Sequence, residues 1–388
     1  MFKILVLSIL FCSLSLSLTH EDSIQKTKNE FLNYKDSQKT SFQNYQHLHY
    51  EAIKKYKNAL NEIWDEPKLS TQNNLISYTP DKKTRTDIDF KNEEIIIQTL
   101  AKTPSEASLK LKIALAKAVT IDTKSLVQND PLQKELSHIK QPHGVTTSPV
   151  NAKPILSPLI FSKPPTKKSV RKYVDKHIKY KKIKVKKSKK IKHSRIYTTR
   201  VKMPPNSIVQ RSKIYYKTIK KESRRQNIPM PLIFAVIHSE SSFNPLARSH
   251  IPAYGLMQIV PKTAGRDTYK YLYNKNRLPS STYLYNSENN IKMGTAYLHI
   301  LYYRYLKGIE NEDSRLYCTI AAYNTGAGNV ARAFAKNNDL KAAAKIINTM
   351  SSRAVYNHLL RHLKYDETKY YLQKVRSRMP IYNRLYGV

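Results

Sequence analysis

Between Ile228 and Gln258 the chain reads IPMPLIFAVIHSESSFNPLARSHIPAYGLMQ, and a single carboxylate, Glu240, stands near the end of its apolar run. From Pro231 the segment predicts a helix, with proline suited to the first turn. Ile233, Val236 and Ile237 follow the i, i+3, i+4 spacing, and Glu240 falls at i+7. The acid therefore shares a face with the core. A carboxyl withdrawn from water keeps its proton to higher pH, which suits a general acid working near neutrality. A glutamate that merely ended this helix toward solvent would do no such chemistry. The residues downstream favour the first reading: Ser241, Phe243, Asn244 and Pro245, then Ser249, then Gly255-Leu256-Met257-Gln258.

Three further motifs follow in order: Asn290-Ile291 with Gly294-Thr295-Ala296-Tyr297-Leu298; Ala322-Tyr323-Asn324-Thr325-Gly326-Ala327-Gly328; and Glu367-Thr368 with Tyr371-Leu372 and Lys374-Val375. Together with Glu240-Ser241 and Gly255-Leu256-Met257-Gln258 they resemble the lytic transglycosylases, a family of lysozyme-like muramidases, and in particular its membrane-bound murein transglycosylase C branch. The resemblance implies an all-α, lysozyme-like catalytic domain. It also implies cleavage of the MurNAc-GlcNAc β-1,4 linkage of peptidoglycan, with no metal and no cofactor. Glu240 would act first as acid and then as base. With the substrate's N-acetyl group assisting, the muramyl 6-hydroxyl would attack C1 and leave a 1,6-anhydromuramyl end.

Further roles carry over one residue at a time. Ser249 would hydrogen-bond near the acetamide, and Met257 would offer an adaptable apolar wall. Gln258 would donate and accept to sugar groups. Tyr323 would line the cleft, Asn324 would hold the loop after it, and Tyr371 would contact or orient the glutamate. Where the family has two glycines after Tyr-Asn, this chain has Thr325 and Gly326.

A two-carboxylate glycosidase needs a second acid roughly 5 to 9.5 Å from the first. Asp267, Glu288, Glu310, Glu312 and Asp313 all lie outside the motifs in polar surroundings, so none answers to that description. Two other readings stay open: a hydrolytic muramidase, and a wall-binding scaffold that no longer turns over.

The chain of 388 residues carries a formal charge of +40, so it must meet something anionic. Nucleic acid is the usual partner of such charge, but Lys3 and the apolar run from Ile4 to Leu18 read as a secretory signal peptide. Export to the periplasm, with attachment to the outer membrane as one option, points instead to peptidoglycan strands and leaves a basic nucleic-acid-binding protein as a distant third reading, argued only from charge. Cys12 lies within that run, either as a lipid-anchor cysteine or as one more apolar residue. Removal of the leader would leave Cys318 without a disulfide partner.

The expected organisation is α+β overall: a signal peptide over 1–19, a polar helical segment or tether over 20–61, a smaller α/β domain over 62–205 and the catalytic domain over 206–388. Thr84 to Phe90 and Glu94 to Leu100 predict a β-hairpin turning at Lys91-Asn92. Thr103-Pro104-Ser105-Glu106 predicts the start of a helix. This ββα pattern also resembles the N-terminal domain of the same branch. Gln141 to Pro165 reads as a linker or long loop.

Lys163 to Arg200 carries 17 lysines and arginines against one acid, Asp175. Such a run is ordinarily a solvated tract. Here Ile183 and Val185, and then Tyr197, Thr199, Val201 and Met203, alternate with polar residues as strands do, and they would complete the sheet of the smaller domain. Its lysines would face anionic envelope polymers or a membrane surface.

Overall fold

The structure is a computed structural model describing residues 43–250 and 252–387, with positions 25, 28, 29, 40 and 41 before them. The signal peptide and Cys12 lie outside the described residues. The chain divides into two compact units, one of residues 1–56 with 135–143 and one of 57–134 with 144–388. In the first, residues 43–56 are helical, as the polar segment led us to expect. Every feature discussed below belongs to the second. Among the described residues no helix is long and apolar enough to cross a membrane.

A five-stranded sheet forms the first part of this larger unit. Strands β1 (Asn74–Tyr78), β2 (Thr84–Asp89) and β3 (Glu94–Ala101) are consecutive. β5 (Lys184–Lys187) and β6 (Arg195–Lys202) come later, giving the order β1-β2-β3-β6-β5 with every pairing antiparallel. The β2–β3 turn forms because the Asp89 carboxylate accepts from the backbone N–H groups of Lys91 and Asn92 at 3.1 and 2.8 Å. Register aligns Ile88 with Ile95 and Ile95 with Val201, and Thr86 with Ile97 and Ile97 with Thr199, so these side chains share one face.

Helix α1 (Pro104–Thr120) covers that face with Ala107, Leu111, Leu115, Ala118 and Val119. Its start is the expected cap: the Thr103 side chain accepts from Glu106 N–H at 3.2 Å. The Glu106 carboxylate accepts from Lys102 N–H at 3.0 Å, one residue before the usual partner of a capping box.

The opposite face is partly covered. Trp64, Glu66 and Lys68 lie against Arg85 and Asp87, which are buried despite their place in an alternating strand, whereas Arg200 and Lys202 on the same face stay exposed. The Arg85 guanidinium stacks 4.3 Å from the Trp64 ring and donates to Gln98 Oε1 and the Glu66 carbonyl, while Asp87 pairs with Lys68 at 2.8 Å.

The lysine-rich stretch is ordered. Its strands complete the sheet, with β5 as the exposed edge, where lysines discourage the addition of another strand. It also holds a helix that lysine density hides in the sequence, α2 (Lys167–His177), started by a Thr166–Ser169 capping box. The proline-rich stretch is likewise packed. β4 (Val145–Thr146) pairs in parallel with β7 (Leu278–Pro279), and Ile155 and Leu156 are buried.

The rest is helical: α3 (Ser207–Gln226), α4 (Met230–Ser241), α5 (Ser287–Ile300), α6 (Glu312–Thr325), α7 (Ala327–Ala335) and α8 (Asp366–Tyr386), with shorter helices between them. Helix α8 continues beyond Arg378 and through Pro380 because Tyr382 and Tyr386 stack on Phe234, with ring centroids 5.2 and 4.5 Å away. Helix α4 is buried on all sides from Leu232 to Ile237, more completely than one apolar face required.

Sheet and helices meet at Glu93. Its carboxylate accepts from Ser207 Oγ and from Ile208 N–H (2.9 Å) at the start of α3, a favourable site for negative charge.

Candidate active site

Glu240 is the penultimate residue of α4. Ser242 and Phe243 follow at φ 51° and 62°, two left-handed residues in succession that turn the chain sharply out of the helix. Ser241 is wholly buried and structural, its hydroxyl donating to the carbonyls of Ile237 (3.1 Å) and Leu256 (2.8 Å). The outgoing loop is held by the residues just before β1. Ser242 Oγ donates to Asn73 Oδ1 (3.0 Å), Asn244 Nδ2 to the Gln72 carbonyl (3.2 Å), and Arg248 N–H to the Thr71 carbonyl (3.3 Å). The sheet region thus supplies no reactive group but fixes the loop beside one. Ser249 lies at the half-buried tip of this loop, where its Oγ accepts from Ala253 N–H at 3.1 Å and closes the turn.

Gly255 to Gln258 form a tight turn anchored by Asn290. This fully buried amide accepts from Met257 N–H (2.8 Å) and donates to the carbonyls of Tyr254 (2.8 Å) and Leu284 (2.9 Å). Gly255 has φ +74°, and a Cβ there would come within 2.3 Å of Asn290 Nδ2, so the position admits no side chain. Met257 corrects the sequence expectation. Its side chain is completely buried against Gly294 and forms no wall open to a ligand. It serves through its backbone, the carbonyl accepting from Tyr323 Oη at 2.8 Å. Gln258 donates through Nε2 to the Gly255 carbonyl (2.9 Å), which leaves its buried Oε1 without a hydrogen-bond partner.

Glu240, Tyr323 and Tyr371 come together around the end of α4. Glu240 is 8% exposed, and burial pushes its carboxyl up to about 8. The neighbouring Tyr371 hydroxyl acts in the opposite sense, and the negative charge of Glu367 adds to the rise. Burial first, and the charge of Glu240 second, hold both Tyr323 and Tyr371 well above the ordinary tyrosine range, so both stay neutral phenols. The Tyr371 hydroxyl lies beside the glutamate yet completes no hydrogen bond of good geometry. His238, one turn before Ser241, is pushed down to about 3 by burial and by Arg378 and Arg211. It therefore brings no positive charge to offset an ionised Glu240.

Asn324 is half-buried and accepts from Thr368 Oγ1 at 2.7 Å, tying the end of α6 to the first turn of α8, three residues before Tyr371. Thr325 takes the last helical position of α6, and Gly326 alone carries the left-handed turn at φ +88°. The Thr325 carbonyl and hydroxyl both accept from Asn329 Nδ2, at 2.8 and 3.0 Å. Threonine thus fits where the family has its first glycine.

Sequence reasoning missed two contributors. Asn290 was visible as a motif residue, but its triple hydrogen bonding is a tertiary fact. Glu367 was visible beside Thr368, and its i, i+4 spacing to Tyr371 was the signal that it shares a helix face with the site. No group of three or more histidine, cysteine, aspartate or glutamate side chains able to hold a metal occurs among the described residues.

Comparison with known proteins gives the family. Residues 217–346 match the Transglycosylase SLT domain family, and residues 23–143 match the N-terminal domain of membrane-bound lytic murein transglycosylase C. A membrane-bound lytic murein transglycosylase C from Pectobacterium atrosepticum is 34% identical over 334 residues, covering 85% of this chain and 88% of the relative. One from Klebsiella pneumoniae is 33% identical over 333 residues, covering 84% and 86%. Among solved structures, an inactive mutant of the lytic transglycosylase Slt from Pseudomonas aeruginosa is 26% identical with a TM-score of 0.35; the match covers 47% of this chain and 28% of that one.

Proposed function

Since the chain belongs to the membrane-bound lytic murein transglycosylase C family, we propose that it breaks the MurNAc-GlcNAc β-1,4 bond of peptidoglycan with Glu240 serving both as acid and as base. The observation that carries this reading is the burial of Glu240 between two neutral tyrosines, with its carboxyl raised to about 8. At neutral pH the acid is largely protonated and can give its proton to the glycosidic oxygen as the bond to C1 breaks. The resulting carboxylate takes the proton of the muramyl 6-hydroxyl as that oxygen bonds to C1. No water enters, the acid is restored, and the product carries a 1,6-anhydro end.

The surrounding residues have defined parts in this scheme. The neutral Tyr371 hydroxyl is placed to stabilise the transient carboxylate. Gln258 Oε1, buried and without a partner, is an acceptor suited to a sugar hydroxyl or acetamide N–H. Ser249 faces the same end of the substrate from its loop. Tyr323 lines the cleft above the Met257 carbonyl, and Asn324 holds the turn behind it. Residues 206–388 carry the chemistry, while Thr71, Gln72 and Asn73, just before β1, brace the loop after the glutamate. The apolar leader and the membrane-bound character of the relatives support action in the cell envelope.

Mass spectrometry of muropeptides released from purified sacculi, beside a Glu240→Gln control, tests the proposal. Anhydromuropeptides from the parent alone are expected. Reducing muramic ends would mean hydrolysis, and equal release by both proteins would remove Glu240 from the mechanism.

A further inference from the structure

Helices α1 and α2 leave between them an open groove of about 650 Å³ on the outer side of the sheet's helical layer. Its lining includes Val170 and Val174 from α2, with the exposed Ile113 of α1 at its edge, and its rim is cationic. Lys112 and Arg171 share Asp175 at 2.8 and 3.8 Å, whereas Lys117 and Lys167 are exposed and have no carboxylate partner among the described residues. Along the ridge of α1, Leu109 is 62% and Ile113 60% exposed, one turn apart on the side opposite the buried Leu111 and Leu115. Val185 on the edge strand is 51% exposed. It pairs with Tyr197, whose side chain points into the α1 layer, so Val185 emerges on the same side of the sheet with Lys184 and Lys186 as its neighbours in the strand.

From this pattern we propose that the α1–α2 surface docks on an anionic phospholipid bilayer. Leu109 and Ile113 enter the interface, and Lys117 and Lys167 meet headgroup phosphates. Cationic charge alone would suit any polyanion. Aliphatic side chains held in water at the centre of that charge gain nothing from a sugar polymer or a phosphodiester chain, but they gain on entering the acyl boundary. Lysine stems of this length cover apolar surface while their ammonium groups stay at headgroup level. The contact lies along the membrane plane, orienting the sheet region toward the bilayer. It is independent of the catalytic reading and of any acyl anchor.

The test is co-sedimentation of the full chain with phosphatidylcholine vesicles, with and without phosphatidylglycerol. All proteins carry Cys12→Ser, so that lipidation cannot differ between them. The parent should bind the anionic vesicles and release them as salt rises. Lys117→Gln/Lys167→Gln should weaken partitioning about 25-fold, at about fivefold per basic residue near an anionic surface. Leu109→Ser/Ile113→Ser should weaken it about tenfold or more through lost apolar insertion. These side chains are exposed, so circular dichroism should show an unchanged fold. Failure of the parent to bind anionic vesicles would overturn the proposal, as would parent-like binding by the Leu109/Ile113 variant. Loss in the lysine variant alone would mean headgroup attraction without insertion, and would reject Leu109 and Ile113 as side chains that enter the bilayer.

Discussion

Two buried ionisable groups receive opposite treatment. Arg211 on α3, where helices meet sheet, is almost inaccessible, and its guanidinium is answered from several sides. Nη2 donates to the Phe90 carbonyl at 3.0 Å and lies 3.4 Å from Glu93, Nη1 lies 3.4 Å from Met203 Sδ, and the group sits 5.3 Å from the Phe90 ring. Glu240, 8% exposed, has no ion pair among the described residues, and the histidine nearest to it in sequence is neutral. A buried charge with partners joins parts of a fold. One denied them has its proton affinity moved instead, and that is how a helix end becomes a catalytic acid.

Substituting Glu240 should give the largest effect, and in two opposite directions. Glu240→Gln is expected to reduce muropeptide release by about 10³-fold or more, within the range set by loss of a general acid. The same change should stabilise the fold. With its pKa raised in the folded state, the parent gains full benefit from protonation only below the unfolded value, and it loses stability as pH rises toward about 8. At pH 7 the glutamine protein should be more stable by about 3 kcal/mol, at about 1.36 kcal/mol for each of the roughly 2.5 pH units between the ordinary carboxyl value of 4.5 and pH 7. Denaturant titrations at several pH values measure this, and the advantage should shrink toward pH 4. A destabilised glutamine variant would mean that the burial of Glu240 is offset by bonds to the carboxylate.

The contrasting substitution is Arg211→Met. Loss of the carbonyl and carboxylate partners should cost roughly 2 kcal/mol, discounted because Glu93 is partly exposed and can recover water. The loss of stability toward about pH 8 that Glu240 imposes should stay as in the parent, while the low-pH limb set by His238 moves up slightly as the charge of Arg211 is removed. A displaced loss toward pH 8 would show that the sheet–helix junction tunes the glutamate and does not merely hold the fold together.

How far these features could be read beforehand depends on their physical range. The hairpin of Thr84 to Leu100, the cap at Thr103 and the helix from Pro231 follow local rules, and they stand where the sequence pattern placed them. Helix α2 was concealed because Val170, Tyr173 and Val174, three inward positions, are outnumbered by lysines. Helix α7 begins inside a glycine-containing motif that reads as loop. The burial of Arg85 and Asp87 depends on Trp64, Glu66 and Lys68 lying against them from the segment before the sheet, which strand alternation cannot report. At the site, Glu240 was legible from its position in an apolar helix. Met257 was misplaced because an apolar residue in a polar motif looks like a ligand wall, whereas Gly294 opposite it provides a socket in the core.

Tyr371 tests the environment of Glu240 without removing the acid. In Tyr371→Phe the ring still buries the carboxyl, but the hydroxyl that favours its ionised form is gone. The Glu240 pKa should rise, moving the basic limb of the kcat/KM profile to higher pH. At the same time kcat should fall about tenfold, because the carboxylate formed in the first step loses its donor. An unshifted limb with parent kcat would leave Tyr371 a packing residue only.

The smallest effect separates two mechanisms. Glu367 is exposed, four residues before Tyr371 on α8, and its charge contributes to the elevation of Glu240. If it acts only through that charge, Glu367→Gln should lower the Glu240 pKa slightly and move the basic limb of kcat/KM to lower pH. Anhydro products should continue at a rate within a few-fold of the parent, since charges near water interact weakly. High salt should erase the difference between the two proteins, because screening removes what the substitution removes. A hydrolase would instead require Glu367 as the second carboxylate of a pair, and the substitution would then cost orders of magnitude at every pH and salt concentration. A salt-sensitive pH shift therefore leaves Glu240 working alone, and a salt-insensitive collapse would give it a partner.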